Sequence, residues 1–274
     1  MASPIDGGNV LITGASSGIG REMARQIAPR AKALVLVARR TERLEELKSE
    51  FAQKHTNLKV LVQPCDLTDQ AAIDTLLETV LGELGTIDVL VNNAGFGDLQ
   101  IFDKAAWDKL DRMIRLNINA LTYLTHKLVP AMVERKSGGI INVSSSFGMS
   151  FLPGFSVYIG TKHFVNGFCD ALVCDLAGTG VRVTCVCPGP VKTEFNEVAQ
   201  DAIRLPNPAP MEISAERCAR ESIAAFDAGK ARVVPGTVMK IMMFMEAMTP
   251  DAFFRSLYGM QGKIMRKKAI ERGV

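Results

Sequence analysis

Short apolar runs alternate with amphipathic stretches along most of this chain, and that alternation leaves few folds open to it. Asn9–Thr13, Ala33–Ala38, Leu58–Gln63, Ile87–Asn92, Gly139–Ser144, Val181–Cys187 and Arg232–Val234 are short, mostly aliphatic segments, which predicts strands. Runs apolar on both faces belong to a sheet covered on both sides, and such sheets are parallel. The stretches between them supply the cover. Ile19, Met23 and Ile27 fall at i, i+4 and i+8, Leu44 and Leu47 mark a second helix, and Leu76, Leu77 and Val80 a third. This succession predicts an α/β fold, a doubly wound, seven-stranded parallel sheet with helices on both faces.

Later elements are less regular. Helical patterning from Lys104 to Arg135 contains Pro130, which predicts a bend or break near Val129. Another helix is expected to begin near Ser156. Residues Glu194–Ile213 carry Pro206, Pro208 and Pro210 after a helical beginning and read as an inserted flap. Beyond Gly236 come Met239, Met242, Met243, Met245 and Met248, then Phe253, Phe254, Leu257 and Tyr258, then Lys263, Arg266, Lys267 and Lys268. Such a methionine stripe reads as core or as a pliable lining for an apolar ligand. No repeat or Gly/Ser linker divides the chain. A single domain over 1–274 is expected, with a cofactor and catalytic core at 9–193, a substrate flap at 194–213 and a C-terminal helical segment at 236–274.

Charge and cysteine usage narrow the function classes. Thirty-two Lys+Arg against 29 Asp+Glu leave a net charge of +3, far short of the basic balance of a nucleic-acid binder. Six cysteines, with no Cys-x-x-Cys pair and only three histidines, favour neither a disulfide framework nor a metal site. They read as small buried hydrophobes in a reducing compartment. Met1–Asn9 show no cationic start followed by an apolar run, and no stretch reaches the roughly 18 apolar residues of a spanning helix. A soluble, cytoplasmic chain without a transmembrane segment is expected.

Directly after the first strand comes Thr13-Gly14-Ala15-Ser16-Ser17-Gly18-Ile19-Gly20, followed by a helix. Glycines let the backbone turn sharply and approach a pyrophosphate, whose charge is met by amides at the helix N-terminus. Gly14, Ser16, Ser17, Gly18, Ile19 and Gly20 are therefore candidate cofactor contacts of a Rossmann-type site, although the spacing is not that of the general Gly-x-Gly-x-x-Gly fingerprint. The second strand ends Val37-Ala38-Arg39-Arg40, where dinucleotide folds that take NAD place a carboxylate on the ribose 2′-hydroxyl. Two guanidiniums there suit a 2′-phosphate instead, so NADP(H) is favoured over NAD. Arg39 carries that reading; Arg40 also reads as a solvated strand end.

Tyr158 and Lys162 lie four residues apart, on one helical face that continues through Val165, Cys169, Leu172 and Leu176. A cation held close to a phenol lowers its pKa, and a phenol poised nearer neutrality can exchange a proton with a carbonyl or alcohol oxygen.

With these motifs in order, the chain resembles the short-chain dehydrogenase/reductase family over about Asn9 to Thr193. That family has a serine 13 residues before the tyrosine and an asparagine some 28 residues earlier, which are Ser145 in Val143-Ser144-Ser145-Ser146 and Asn117 in Leu116-Asn117-Ile118-Asn119. The resemblance implies a catalytic set of Asn117, Ser145, Tyr158 and Lys162. Tyr158 would be the general acid/base, Ser145 would hold the substrate oxygen, Lys162 would tune Tyr158 and bind the nicotinamide ribose, and Asn117 would support a proton-relay water. It further implies cofactor contacts from Asp66 and Leu67 at the adenine, from Asn93, Ala94 and Gly95 after the fourth strand, and from Pro188, Gly189, Val191 and Thr193 at the nicotinamide. Asn93 reads equally as a strand-end buttress.

The implied activity is NADP(H)-dependent interconversion of a small ketone and a secondary alcohol by a homodimer or homotetramer. The Met and Phe content of the tail suggests an apolar, fatty-acyl or steroid-like substrate, a 3-oxoacyl thioester among the candidates. A non-catalytic sensor of NADP(H) is the alternative of another class, opposed by four intact catalytic residues. The tail itself reads as a subunit contact, a substrate wall or a peripheral membrane contact.

Overall fold

A computed structural model describes residues 2–195 and 210–271. Its central strand, β1 (Asn9–Thr13), is buried along its whole length and pairs in parallel with two neighbours. These are β2 (Ala33–Ala38) and β4 (Val89–Asn92), in a register that sets Leu11 beside Val35 and Leu90. β3 (Lys59–Pro64), β5 (Gly138–Val143), β6 (Val181–Val186) and β9 (Arg232–Val233) extend the sheet to seven strands in the order β3-β2-β1-β4-β5-β6-β9, every pairing parallel. The doubly wound Rossmann-type expectation holds. The chain builds outward from β1 one way and then, from β4, the other, so a crevice opens beyond the carboxyl ends of β1 and β4, where ligands of such sheets bind. A separate two-strand ladder of β7 (Val191–Lys192) and β8 (Ile213–Ser214) joins the two sides of the segment 196–209, which holds most of the expected flap and lies outside the described residues.

Helices cover both faces. On one, α1 (Gly18–Ile27), α2 (Thr41–Lys54) and α7 (Ala215–Asp227) bury Met23, Ile27, Leu44, Leu47, Phe51 and Phe226. On the other, α3 (Gln70–Leu84) and α5 (Leu121–Glu134) bury Ile73, Leu76, Leu77, Val80, Leu124 and Leu128. The chain ends in two further helices, α8 (Thr237–Ala247) and α9 (Asp251–Glu271).

Two expectations need correction. The break in the long helical stretch is not at Pro130, which lies inside α5. It falls at Arg115–Ala120, where a wider π-helical turn separates α4 (Trp107–Ile114) from α5. Pro130 forfeits one backbone hydrogen bond, a loss tolerated here in a helix anchored on either side by buried Leu128 and Met132. A π turn re-aims side chains, and this one carries the buried Asn117. The second correction concerns the cysteines: five are buried as expected, but Cys174 is exposed on α6 (Ser156–Asp175).

Candidate active site

The Gly-rich turn is set by its neighbours in the crevice. Gly14 sits at φ +66°, and a Cβ there would lie 2.7 Å from Asn93 Nδ2 and 2.9 Å from Ala94 Cα. Asn93 Nδ2 donates to the carbonyls of Thr13 (2.9 Å) and Gly14 (3.2 Å), while Thr13 Oγ1 accepts from the amides of Asn93 (2.9 Å) and Ala94 (3.0 Å). Asn93 thus buttresses the end of β1. Ser17 is the N-cap residue of α1 but its side chain makes no capping bond, and no acidic residue occupies the first turn. That end of the helix is thus shaped for an anion and fits a pyrophosphate. Thr193 comes within 3.0 Å of where a Gly18 Cβ would stand, so the β7 loop closes on the same cradle.

The arginines at the end of β2 part company. Arg39 is exposed and its charge helps hold the Asp66 carboxyl low. There burial, which alone would raise it, is outweighed by hydrogen bonds from Thr68 and by Arg39 and Arg112. Arg40 reaches across the cradle, 3.4 Å from Ser16 Oγ and 2.8 Å from Glu194 Oε2. Leu67 is buried in the core face below.

Tyr158 and Lys162 lead the buried face of α6, where an i, i+4 spacing stacks them. The Lys162 ammonium lies 5.7 Å from the Tyr158 ring centre and donates to the Val143 carbonyl at 3.0 Å. Ser145 lies close enough to the Tyr158 phenol to lower its pKa, and it accepts from the Phe147 amide at 3.1 Å. Ser144, its neighbour, is committed elsewhere, donating to the Lys162 carbonyl at 3.1 Å. Of the two, it is therefore Ser145 that is placed at the tyrosine. Asn117 Nδ2 donates to the Phe96 carbonyl (2.9 Å) and Thr161 Oγ1 (3.1 Å), and its Oδ1 accepts from the Phe96 amide (3.2 Å). Gly95 passes between these groups: a Cβ there would stand 3.0 Å from Asn117 Oδ1 and 3.7 Å from Lys162 Nζ.

Burial dominates the titration of this cluster. It pushes the Tyr158 phenol up to about 12, against a smaller lowering by the Ser145 hydrogen bond. It brings the Lys162 ammonium down to about 8. Against the expectation that a nearby cation lowers the phenol's pKa, desolvation dominates and outweighs the lowering by Ser145.

Sequence reasoning missed an aromatic enclosure. Phe195, Phe155 and Phe147 stand 5.5, 5.9 and 6.5 Å from the Tyr158 ring, and Phe195 is the second residue of the expected flap. Thr161 was also missed, though its place three residues after Tyr158 on the helix puts it beside the same group. The β6–β7 loop is brought in by the Ser146 amide, which donates to the Pro188 carbonyl at 2.8 Å. Gly189 packs on Met239 of α8, and Val191 is buried in β7.

A nucleotide-shaped turn at the switch point of a doubly wound sheet, with a buried Tyr, Lys, Ser and Asn beside it, is the architecture of dinucleotide-dependent oxidoreductases. The family model for short chain dehydrogenase matches residues 8–203, and the chain belongs to that family. It is similar to human dehydrogenase/reductase SDR family member 7, at 39% identity over 69% of this chain and 56% of the relative. It is also similar to the NADP-dependent 3-hydroxy acid dehydrogenase YdfG of Escherichia coli K12, at 39% identity over 69% of this chain and 75% of the relative. Among solved structures, a short-chain dehydrogenase from Sphingobium yanoikuyae in complex with NADPH superposes with a TM-score of 0.77 at 30% identity, covering 94% of this chain and 95% of that one. A bulky-bulky ketone specific alcohol dehydrogenase from Comamonas testosteroni gives 0.73 at 28% identity, covering 94% of each chain.

Proposed function

We propose that this protein is an NADP(H)-dependent oxidoreductase that interconverts a ketone and a secondary alcohol, with Asn117, Ser145, Tyr158 and Lys162 as its catalytic set. The observation that carries the reading is the joining of Ser145, Tyr158 and Lys162 in one buried cluster beside the Gly14–Gly20 cradle. NADP(H), when bound, supplies or accepts the hydride. Ser145 and Tyr158 direct two hydroxyls at the substrate oxygen, and Tyr158 passes its proton to that oxygen in reduction or takes one in oxidation. Lys162, anchored on the Val143 carbonyl, holds positive charge beside the phenol and offers a donor to the nicotinamide ribose. Asn117 fixes the Phe96 backbone and steadies a relay water. Gly14, Ser16, Ser17, Gly18, Ile19 and Gly20 would receive the pyrophosphate and Arg39 the 2′-phosphate. Asp66 and Leu67 would lie at the adenine, Ala94 and Gly95 would line the cofactor cleft after β4, and Pro188, Gly189, Val191 and Thr193 would lie at the nicotinamide.

NADP-dependent and NADPH-bound relatives support the cofactor. An apolar substrate is supported by the cluster that surrounds Tyr158, which includes Leu99, Ile101, Phe151, Leu152 and, from α9, Met265. Ile101 and Met265 also line a cleft of about 480 Å³, which they share with the Asp103–Arg266 ion pair and which holds none of the catalytic set. Cytoplasmic placement and assembly into a homo-oligomer complete the proposal.

The test follows NADPH oxidation over ketones of graded length, with the parent and Tyr158→Phe compared. The variant keeps the ring and loses the donor, so turnover falls by roughly 10² or more while NADPH binding and thermal unfolding stay normal. Retained turnover would show that the proton comes from another group.

A further inference from the structure

The two C-terminal helices are two-sided, and only one side is accounted for. On the inner side Met239 packs on Gly189, Glu246 bonds Ser150, Tyr258 meets Phe151 edge-on at 5.5 Å, and Met265 joins the cluster around Tyr158. On the outer side of α8, Val238, Ile241, Met245 and Met248 recur at steps of three and four, with Phe244 alongside. On α9, Phe253, Leu257, Met260 and Ile264 do the same. All nine are exposed, Phe244 at 70%, Met248 at 74% and Met260 at 62% among them. Two apolar strips this regular are far from the scattered exposed hydrophobes of an ordinary surface.

Charge says what covers them. Residues 237–274 hold seven Lys and Arg and three Asp and Glu, a net +4; the whole chain carries +3, so residues 1–236 carry −1. Lys240, Lys263 and Lys267 are exposed, and Lys267 falls three residues after Ile264, in line with the α9 strip. Lysines at the border of an apolar strip can lay their stems along it while their ammonium groups reach outward. A second copy docked on these strips would bring two +4 segments together, whereas anionic headgroups complement them. No described helix is long and apolar enough to cross a membrane.

We propose that the outer face of α8 and α9 seats this protein on an anionic lipid surface, its strips in the headgroup boundary and its lysines among the phosphates. The proposal stands on these helices alone and does not depend on the reaction assigned above. The full chain is sedimented with vesicles of equal parts phosphatidylglycerol and phosphatidylcholine, and with phosphatidylcholine alone. Binding to the mixed vesicles is expected at least about tenfold tighter, and should be largely lost in ~1 M salt, where charges are screened within about 3 Å. Because each basic residue near such a surface is worth roughly fivefold, Lys263→Glu with Lys267→Glu should weaken binding by at least about tenfold. Ile241→Ser with Phe244→Ser should weaken it while leaving soluble turnover unchanged. No binding to the mixed vesicles at low salt, or equal binding to both compositions, overturns the proposal. So does an oligomer, seen by light scattering, that Ile241→Ser with Phe244→Ser reduces to a protomer, since the strips would then belong to a second copy. Should that variant not fold, the salt and lipid comparisons on the parent decide alone.

Discussion

Lys162 is a lysine that the folded chain discourages from being charged, and this has a pH signature. Its pKa falls from 10.5 to about 8 on folding. Burial therefore costs nothing above pH ~10.5, costs progressively more as pH falls toward 8, and is constant below that. Lys162→Met should thus unfold later than the parent at pH 7, by at most about 3 kcal/mol, with the advantage fading between pH 8 and 10.5. Urea titrations of the cofactor-free proteins across that range would show it, and a pH-independent difference would refute it. The same variant should be inactive, the trade expected of a functional group held in a hostile site. At the end of β2, Arg39 is exposed and forms no ion pair with a described residue, while Arg40 is engaged with Glu194. Cofactor preference is therefore expected to follow Arg39: NADPH bound at least about tenfold tighter than NADH, a modest 1.4 kcal/mol for a charge-assisted pair, with Arg39→Asp reversing the order in binding titrations.

Among the elements, α1 and α2 are clasped by Arg25 and Glu50, with Nη2 to Oε2 at 2.8 Å and Lys54 joining at 2.9 Å. The Arg25 hydrogen bond is the main reason the Glu50 carboxyl drops from 4.5 to about 2. That stability is fully present above pH ~4.5 and is lost as pH falls through 2. The groups are partly solvated, so Glu50→Gln should cost only about 1 kcal/mol at pH 7, and the deficit should shrink on acidification. An unaltered acid transition in the variant would show the clasp to be idle. Legibility also differs by element. Strands β1 and β2 were readable to the residue because continuous aliphatic runs and a following Gly or Arg bound them on both sides. Tyr158 and Lys162 were readable because an i, i+4 spacing along one helix translates directly into proximity, whereas Ser145 and Asn117 came only from the family resemblance. The π turn was not, since Pro130 offered a louder local signal than anything in Arg115–Ala120, and what holds the wide turn's cargo in place is Asn117 bonding to Phe96, 21 residues away. Glu194 and Phe195 were hidden for the same reason: their partners Arg40 and Tyr158 are distant in sequence.

On the scale of the molecule, the tail reaches back to the site, bringing Met265 into the apolar cluster around Tyr158. Ending the chain after Thr249 removes Met265 from the cluster around Tyr158 and bares the Phe151 ring, yet leaves the sheet and Met239 in place. Catalytic efficiency of the parent should rise up to roughly fourfold per added carbon along a ketone series, the worth of about 0.8 kcal/mol per buried methylene. The shortened protein should still bind NADPH but lose that slope; an unchanged slope would deny α9 any part in the substrate wall. Met265 also arrives late. A ribosome adding roughly 5–20 residues per second completes β1 through β5 several seconds before the helix that finishes the wall emerges. Synthesis order thus brings out the cradle and the catalytic set well before the α9 residue that the mature fold packs around Tyr158.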